Sequence, residues 1–231
     1  MSAGRREALA ALEAAVHKCR RCPRLVAWRE QVAAEKRAVF CDWDYWGRPV
    51  PGFGDSAARV VLLGLAFAAH GGNRIGRVFT GDRSGDFLFA ALHRAGYANQ
   101  PHAVSLDDGL ELRDCFITAA VRCAPPANKP LPSEKAACAH WLARELALLE
   151  HVRVVLCLGA FAWEAGFRQL APAVRPRPRF GHGAEAAAGD VTMLGCFHPS
   201  QQNTFTGKLT ESMIDDVLAR AQEMCQARFL R

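Results

Sequence analysis

Four short apolar runs, at residues 58–66, 114–121, 152–158 and 191–197, constrain the fold of this chain more than any other feature. Each is rich in Val, Ile, Leu or Cys, and none alternates apolar with polar residues. A strand with one face in water alternates, whereas a strand covered on both faces does not. The runs therefore predict strands of a buried parallel sheet. Helical patterns separate them, best at residues 84–95 and 133–150, with a shorter one at 161–170 and a final one from about 210 to 227. The second of these opens on Pro132, Ser133 and Glu134, which read as a cap and first turn. A further helix is predicted over 6–17, where Leu9, Leu12, Ala15 and Val16 recur at helical spacing. Strands alternating with helices imply a three-layer α/β/α sandwich around a central, mostly parallel sheet of four strands, joined by right-handed crossovers.

The 231 residues suffice for one such domain, and no internal repeat divides them. The loosest part is 171–190, a Pro, Ala and Gly-rich segment containing Arg175, Arg177 and Arg179, which reads as a basic loop. No apolar run approaches the roughly 18 residues needed to span a bilayer. The first residues carry no secretory apolar region, so a cytoplasmic location is expected. The net charge of +6 favours an anionic partner without naming one. Nine cysteines in a chain of this kind do not suggest a disulfide framework; they are buried thiols, metal ligands, or both.

In an open parallel sheet, ligands bind beyond the carboxyl ends of the strands. Two unusual segments lie there. One runs from Gly64 to Asp82, is rich in Gly, and carries Arg74 and Arg77. Glycines let backbone N–H groups approach an oxyanion, although the ending of a phosphate-binding P-loop is missing. The other, residues 198–203, places His198 at a strand end, made rigid by Pro199. Cys19 and Cys22 form a CxxC pair, while Cys123 and Cys138 flank a Pro-rich loop and a helix start. Four thiolates suit either a Cys₄ zinc site or an iron–sulfur cluster, and spacing alone does not separate them. Cys41, Cys115, Cys157, Cys196 and Cys225 read as unrelated buried thiols. Taken singly, Phe79 reads as a core aromatic, Asp82 as a helix cap and His198 as a hydrogen-bonded structural residue.

Together these residues resemble a known family. The segments Gly64-Leu-Ala66, His70-Gly-Gly-Asn-Arg74, Val78-Phe-Thr-Gly-Asp82, Cys123-Ala-Pro-Pro-Ala-Asn-Lys-Pro130 and His198-Pro-Ser-Gln-Gln-Asn203 are similar to those of the family 5 uracil-DNA glycosylases of bacteria and archaea. The resemblance extends from about Cys19 to the C-terminal helix. It implies a monomeric DNA-repair enzyme that hydrolyses the N-glycosidic bond of uracil and other deaminated bases. It implies that Cys19, Cys22, Cys123 and Cys138 bind a 4Fe–4S cluster tying the N-terminal segment to the core, which decides against zinc. Asp82, Asn128, His198 and Asn203 match positions of the family's catalytic site. Gly64, Ala66 and Phe79 match the part that receives the flipped base, with Phe79 as its stacking ring.

Ala66 stands where related families place an acidic or polar residue, and Ala119 lies near the Asn that reads the uracil edge in those families. A pocket without that amide imposes fewer hydrogen-bond requirements, so hypoxanthine is expected as a substrate beside uracil. Phe67 stands where the family usually has proline. It narrows the pocket, adds a stacking surface or packs underneath. Two rival readings follow: a binder of deaminated DNA disabled by Phe67, and an iron–sulfur redox protein. No lysine is placed as a Schiff-base nucleophile, so base removal by water is expected.

Overall fold

In the computed structural model of the protein, residues 3–227 are described. The helices are α1 (Ala3–His17), α2 (Pro23–Glu35), α3 (Gly72–Ile75), α4 (Arg83–Arg94), α5 (Pro132–Leu148), α6 (Ala160–Leu170), α7 (Gln201–Phe205) and α8 (Glu211–Ala227). The strands are β1 (Phe53–Gly54), β2 (Val60–Gly64), β3 (Cys115–Ala119), β4 (Val154–Leu158), β5 (Glu185–Ala188) and β6 (Val191–Cys196). They form one sheet in the order β1-β3-β2-β4-β6-β5.

The four central strands, β3, β2, β4 and β6, are the predicted apolar runs and all pair in parallel. The sheet has six strands rather than four, because a short antiparallel strand is added at each edge. Neither edge strand carries a strand signal. β1 is two residues long and ends in Gly, and β5 reads Glu-Ala-Ala-Ala, residues depleted in strands. Segment 171–190 is thus not all loop, since β5 lies within it.

Alternate side chains of the central strands point to opposite faces. Val60 and Leu62 join the core beneath α4 and α8. Val61 and Leu63 join the core with Leu142 of α5 and Trp163 and Phe167 of α6. Both faces are therefore dry, which is why these strands do not alternate in sequence. The predicted helices appear within two or three residues of their expected bounds. α2 has no clear signal in the sequence, because its buried side carries Arg29 among Leu25, Val26 and Val32, and the charge breaks the apolar periodicity. Pro23 at its first turn and Cys22 as its N-cap start it directly after the CxxC pair. Cys115, Cys157, Cys196 and Cys225 are buried thiols as expected, but Cys41 is exposed. Among the described residues, no helix is long and apolar enough to cross a membrane.

Candidate active site

The carboxyl ends of β2, β4 and β6 open into a cleft of about 740 Å³. Its lining includes Ala66, Phe67, Phe79, Asp82, Asn128, His198 and Asn203. Of the base-binding candidates, Gly64 is not part of the lining; it ends β2 beneath Phe79, and a Cβ there would meet the Phe79 ring at 3.1 Å. The missing side chain is what lets the ring lie across the strand end. Phe79 itself holds φ +54, a left-handed conformation costly for an aromatic residue. Its ring faces His198, with centroids 5.9 Å apart.

His198 follows β6 after one residue, Phe197. Burial pushes its imidazole down to about 4, so the ring is neutral at physiological pH. The loop that carries it is fixed through the backbone: the His198 carbonyl accepts from the Ser200 N–H at 2.8 Å and from Asn203 Nδ2 at 2.9 Å. Asn203 therefore commits an amide N–H to the loop while still lining the cleft.

Asp82 is the N-cap of α4 and accepts from the Gly85 N–H at 3.0 Å. Burial raises its carboxyl above the usual range, and the N–H groups of Gly85 and Ser84 partly offset this. The carboxylate reaches this position because residue 71 is Gly, where any Cβ would collide with it. Capping and a chemical role are compatible here, since one oxygen caps and Asp82 still lines the cleft. Asn128 is exposed at the rim, on a turn where Ala127 and Asn128 both have positive φ. Phe67 is buried at 4% exposure in the core beside α4, against Gly72, and forms the cleft floor from beneath. Ala119 is fully buried and is not part of the lining.

The four candidate ligand cysteines meet in a separate corner with Leu12, Val16, Leu25, Val121 and Trp141. Cys123 and Cys138 are buried, Cys19 and Cys22 half-buried. Arg29, 2% exposed, donates to Cys123 Sγ at 2.9 Å and to the Cys19 carbonyl at 3.2 Å. The Arg122 N–H donates to Cys138 Sγ at 3.2 Å. A buried guanidinium aimed at thiols has a reason to exist if those thiols carry negative charge, as metal-bound thiolates do. No group of three or more His, Cys, Asp or Glu among the described residues is arranged to hold a single metal ion. Four cysteines gathered in one apolar corner, with a buried guanidinium on one thiol, are compatible with an iron–sulfur cluster.

Residues 51–222 match the family model described as the uracil DNA glycosylase superfamily. The chain belongs to that superfamily. It is 53% identical over 225 residues to a type-5 uracil-DNA glycosylase of Mycobacterium bovis, covering 96% of this chain and 84% of the relative. It is 51% identical over 207 residues to a type-5 enzyme of Thermus thermophilus, covering 89% and 93%. A type-4 uracil-DNA glycosylase of Archaeoglobus fulgidus is 32% identical over 114 residues, about half of each chain.

In this glycosylase-superfamily chain, the Gly64–Asp82 segment does not present its two arginines to an anion. Arg77 is buried and paired with Asp108 at 2.6 Å, which holds that carboxyl down to about 2. Arg74 is buried between the rings of Phe40 and Trp43, 3.9 and 4.3 Å from their centroids. It donates to the His70 carbonyl at 2.9 Å and the Gly81 carbonyl at 2.8 Å, so it ties the middle of the segment to its end. Tyr45 adds a hydrogen bond to His70 Nδ1 at 2.9 Å. The polar, aromatic stretch around Trp43 and Tyr45 is visible in the sequence, but its partner is not. Phe161 also lines the cleft and has no sequence signal, and Lys129, which lies within the Cys123–Pro130 motif without an expected role, lines it too.

Proposed function

We propose that this member of the uracil DNA glycosylase superfamily removes uracil, and also hypoxanthine and other deaminated bases, from DNA by hydrolysis, acting as a monomer. The observation that carries the reading is the meeting of a neutral, partly buried His198 with Phe79 and Asp82 in one cleft at the ends of β2 and β6.

A base inside a duplex is out of reach and must be rotated out, at a cost of a few kcal/mol. The Phe79 ring offers a stacking surface for the extruded base. As the N-glycosidic bond breaks, its electron pair leaves with the base and the sugar gains positive charge. A neutral imidazole with its pKa pushed down to about 4 can donate a hydrogen bond to the base oxygen without giving up its proton. Such a preorganised donor contributes about 3–4 kcal/mol. Water then bonds to the sugar carbon, losing one proton that ends on the departed base. Asp82, as the anion, stabilises the sugar cation and can accept that proton in passing; its raised pKa makes it a better acceptor. Asn128, at the rim, can orient the water or the base. Asn203 acts through the His198 carbonyl.

Cys19, Cys22, Cys123 and Cys138 are proposed to hold the 4Fe–4S cluster, which when bound supplies a rigid tie between the N-terminal segment and the core. Cys123 lies five positions before Asn128, so fixing it also fixes the cleft rim. The burial of Phe67 as floor favours the enzyme over the disabled binder.

The test is an end-labelled duplex with one uracil opposite guanine, cleaved by alkali at abasic sites, with a hypoxanthine duplex beside it. Alkali-dependent scission of both, sharply reduced by His198→Ala, is expected. No scission by iron-loaded protein defeats the proposal, and scission of the uracil duplex alone narrows its specificity.

A further inference from the structure

A second cavity, about 720 Å³, adjoins the cleft. Asp82, Ser84, Asn128 and Gln202 line both. The new walls come from Arg37, Phe40, His70 and Arg83. Arg37 and Arg83 are exposed, and neither has a carboxylate partner among the described residues. This contrasts with Arg20, Arg94 and Arg220, also surface cations, which are all paired with Asp or Glu.

The order of groups in a nucleotide fits the order of these cavities. The base belongs in the cleft under Phe79. The sugar carbon that gains charge must lie beside Asp82, which stands at the junction. The phosphate attached to that sugar then falls into the second cavity, where an anion beside the Asp82 carboxylate needs compensating positive charge. Arg83, whose guanidinium lies 5.6 Å from the centroid of the exposed Phe205 ring, supplies it from the next position in the chain, and Arg37 adds a second cation to the same lining. The wall also holds the ring of Phe40, whose other neighbour is the buried guanidinium of Arg74. That stack fixes segment 37–43 in place, so Arg37 projects from an anchored stretch.

We propose that the second cavity seats the DNA strand next to the damaged nucleotide, with Arg37 and Arg83 contacting its phosphates. The proposal rests on the glycosylase reading of the cleft and adds the path of the strand out of it.

Binding of a labelled uracil-containing duplex is measured across a salt series for the full iron-loaded protein and its variants. Each phosphate contact contributes about 0.9 to the slope of log K against log salt. Arg37→Ala and Arg83→Ala are each expected to make the slope shallower by about that amount and to weaken binding several-fold at physiological salt. Arg37→Glu should weaken it further. Arg113→Ala is the control: Arg113 is exposed and precedes β3, at the opposite end of the sheet. Its slope should match the unmodified protein. Thermal melting of each variant checks that the fold is retained. Uracil release by the unmodified protein, with slopes unchanged in all three variants of Arg37 and Arg83, overturns the strand path and leaves the glycosylase reading standing. Shallower slopes in a protein that releases no uracil do the reverse.

Discussion

The base cleft and the buried pair on the other side of β3 treat polar groups in opposite ways. Arg122 and Glu145 are 1% and 3% exposed and bond each other twice, at 2.7 and 3.1 Å. Glu145 also accepts from the Gly52 N–H at 3.1 Å and from the Thr118 hydroxyl. Its carboxylate oxygens are committed to the fold. Around the cleft, backbone groups hold the shape: Asn203 and Ser200 bond the His198 carbonyl, Arg74 bonds two loop carbonyls behind it, and the His198 ring is left lining the open space. The lesson is that the His198 ring is positioned through its main chain and the Arg122–Glu145 pair through its own charged atoms, while Asp82 does both, one carboxylate oxygen capping α4 as the residue lines the cleft.

That contrast is most exposed to failure at Glu145. Glu145→Ala strands a buried guanidinium and should cost about 3–5 kcal/mol of unfolding free energy, read by urea denaturation. If stability is unchanged, the pair is not the fold-holding element described. His198→Ala should do the opposite, lowering single-turnover excision by about 10²–10³-fold while leaving the urea midpoint nearly in place. Equal damage to folding and rate would erase the distinction between the two regions.

The pH response sharpens it further. The imidazole of His198 is pushed down to about 4 in the folded chain and returns to an ordinary value near 6.5 when unfolded. Between those values the unfolded state binds the extra proton, so this group destabilises the fold as pH falls from about 6.5 toward 4. The size is of the order of 3 kcal/mol, at about 1.36 kcal/mol for each pH unit separating the folded and unfolded values. His198→Ala should flatten that part of the stability profile, and an unaltered profile would show that the ring is not held neutral by burial. The smallest effect is expected at Asn203. Asn203→Ala removes one hydrogen bond to a backbone carbonyl, about 1 kcal/mol, and should slow excision roughly five-fold without changing its pH profile. A loss as large as that of His198→Ala would instead place the Asn203 amide on the base.

Much of this is legible in the chain itself. The non-alternating runs specify a doubly covered parallel sheet, because burial on both faces removes the period-two signal. The strand-end motifs and the cysteine pairs specify which residues to look for. Asp82 as a cap and Phe79 as a buried ring are also visible, and both border the cleft as well. The edge strands are hidden, because β1 and β5 form by pairing with a neighbour rather than by their own propensity. α2 is hidden by Arg29, a buried charge one of whose partners, Cys123, is distant in sequence.

The sequence by itself determined the layer architecture and the inventory of chemical groups, since those follow from local periodicity and residue type. Tertiary structure alone decided the partners. It assigned Arg77 to Asp108, Arg74 to two aromatic rings, Arg29 to Cys123 and Asn203 to a carbonyl, and among the described residues it left Arg37 and Arg83 without carboxylate partners around the cavity that Asp82 borders. The reason is physical. Whether a charge is neutralised, buried or available depends on which atoms lie within a few ångströms of it, and those atoms come from segments that meet only when the sheet is assembled.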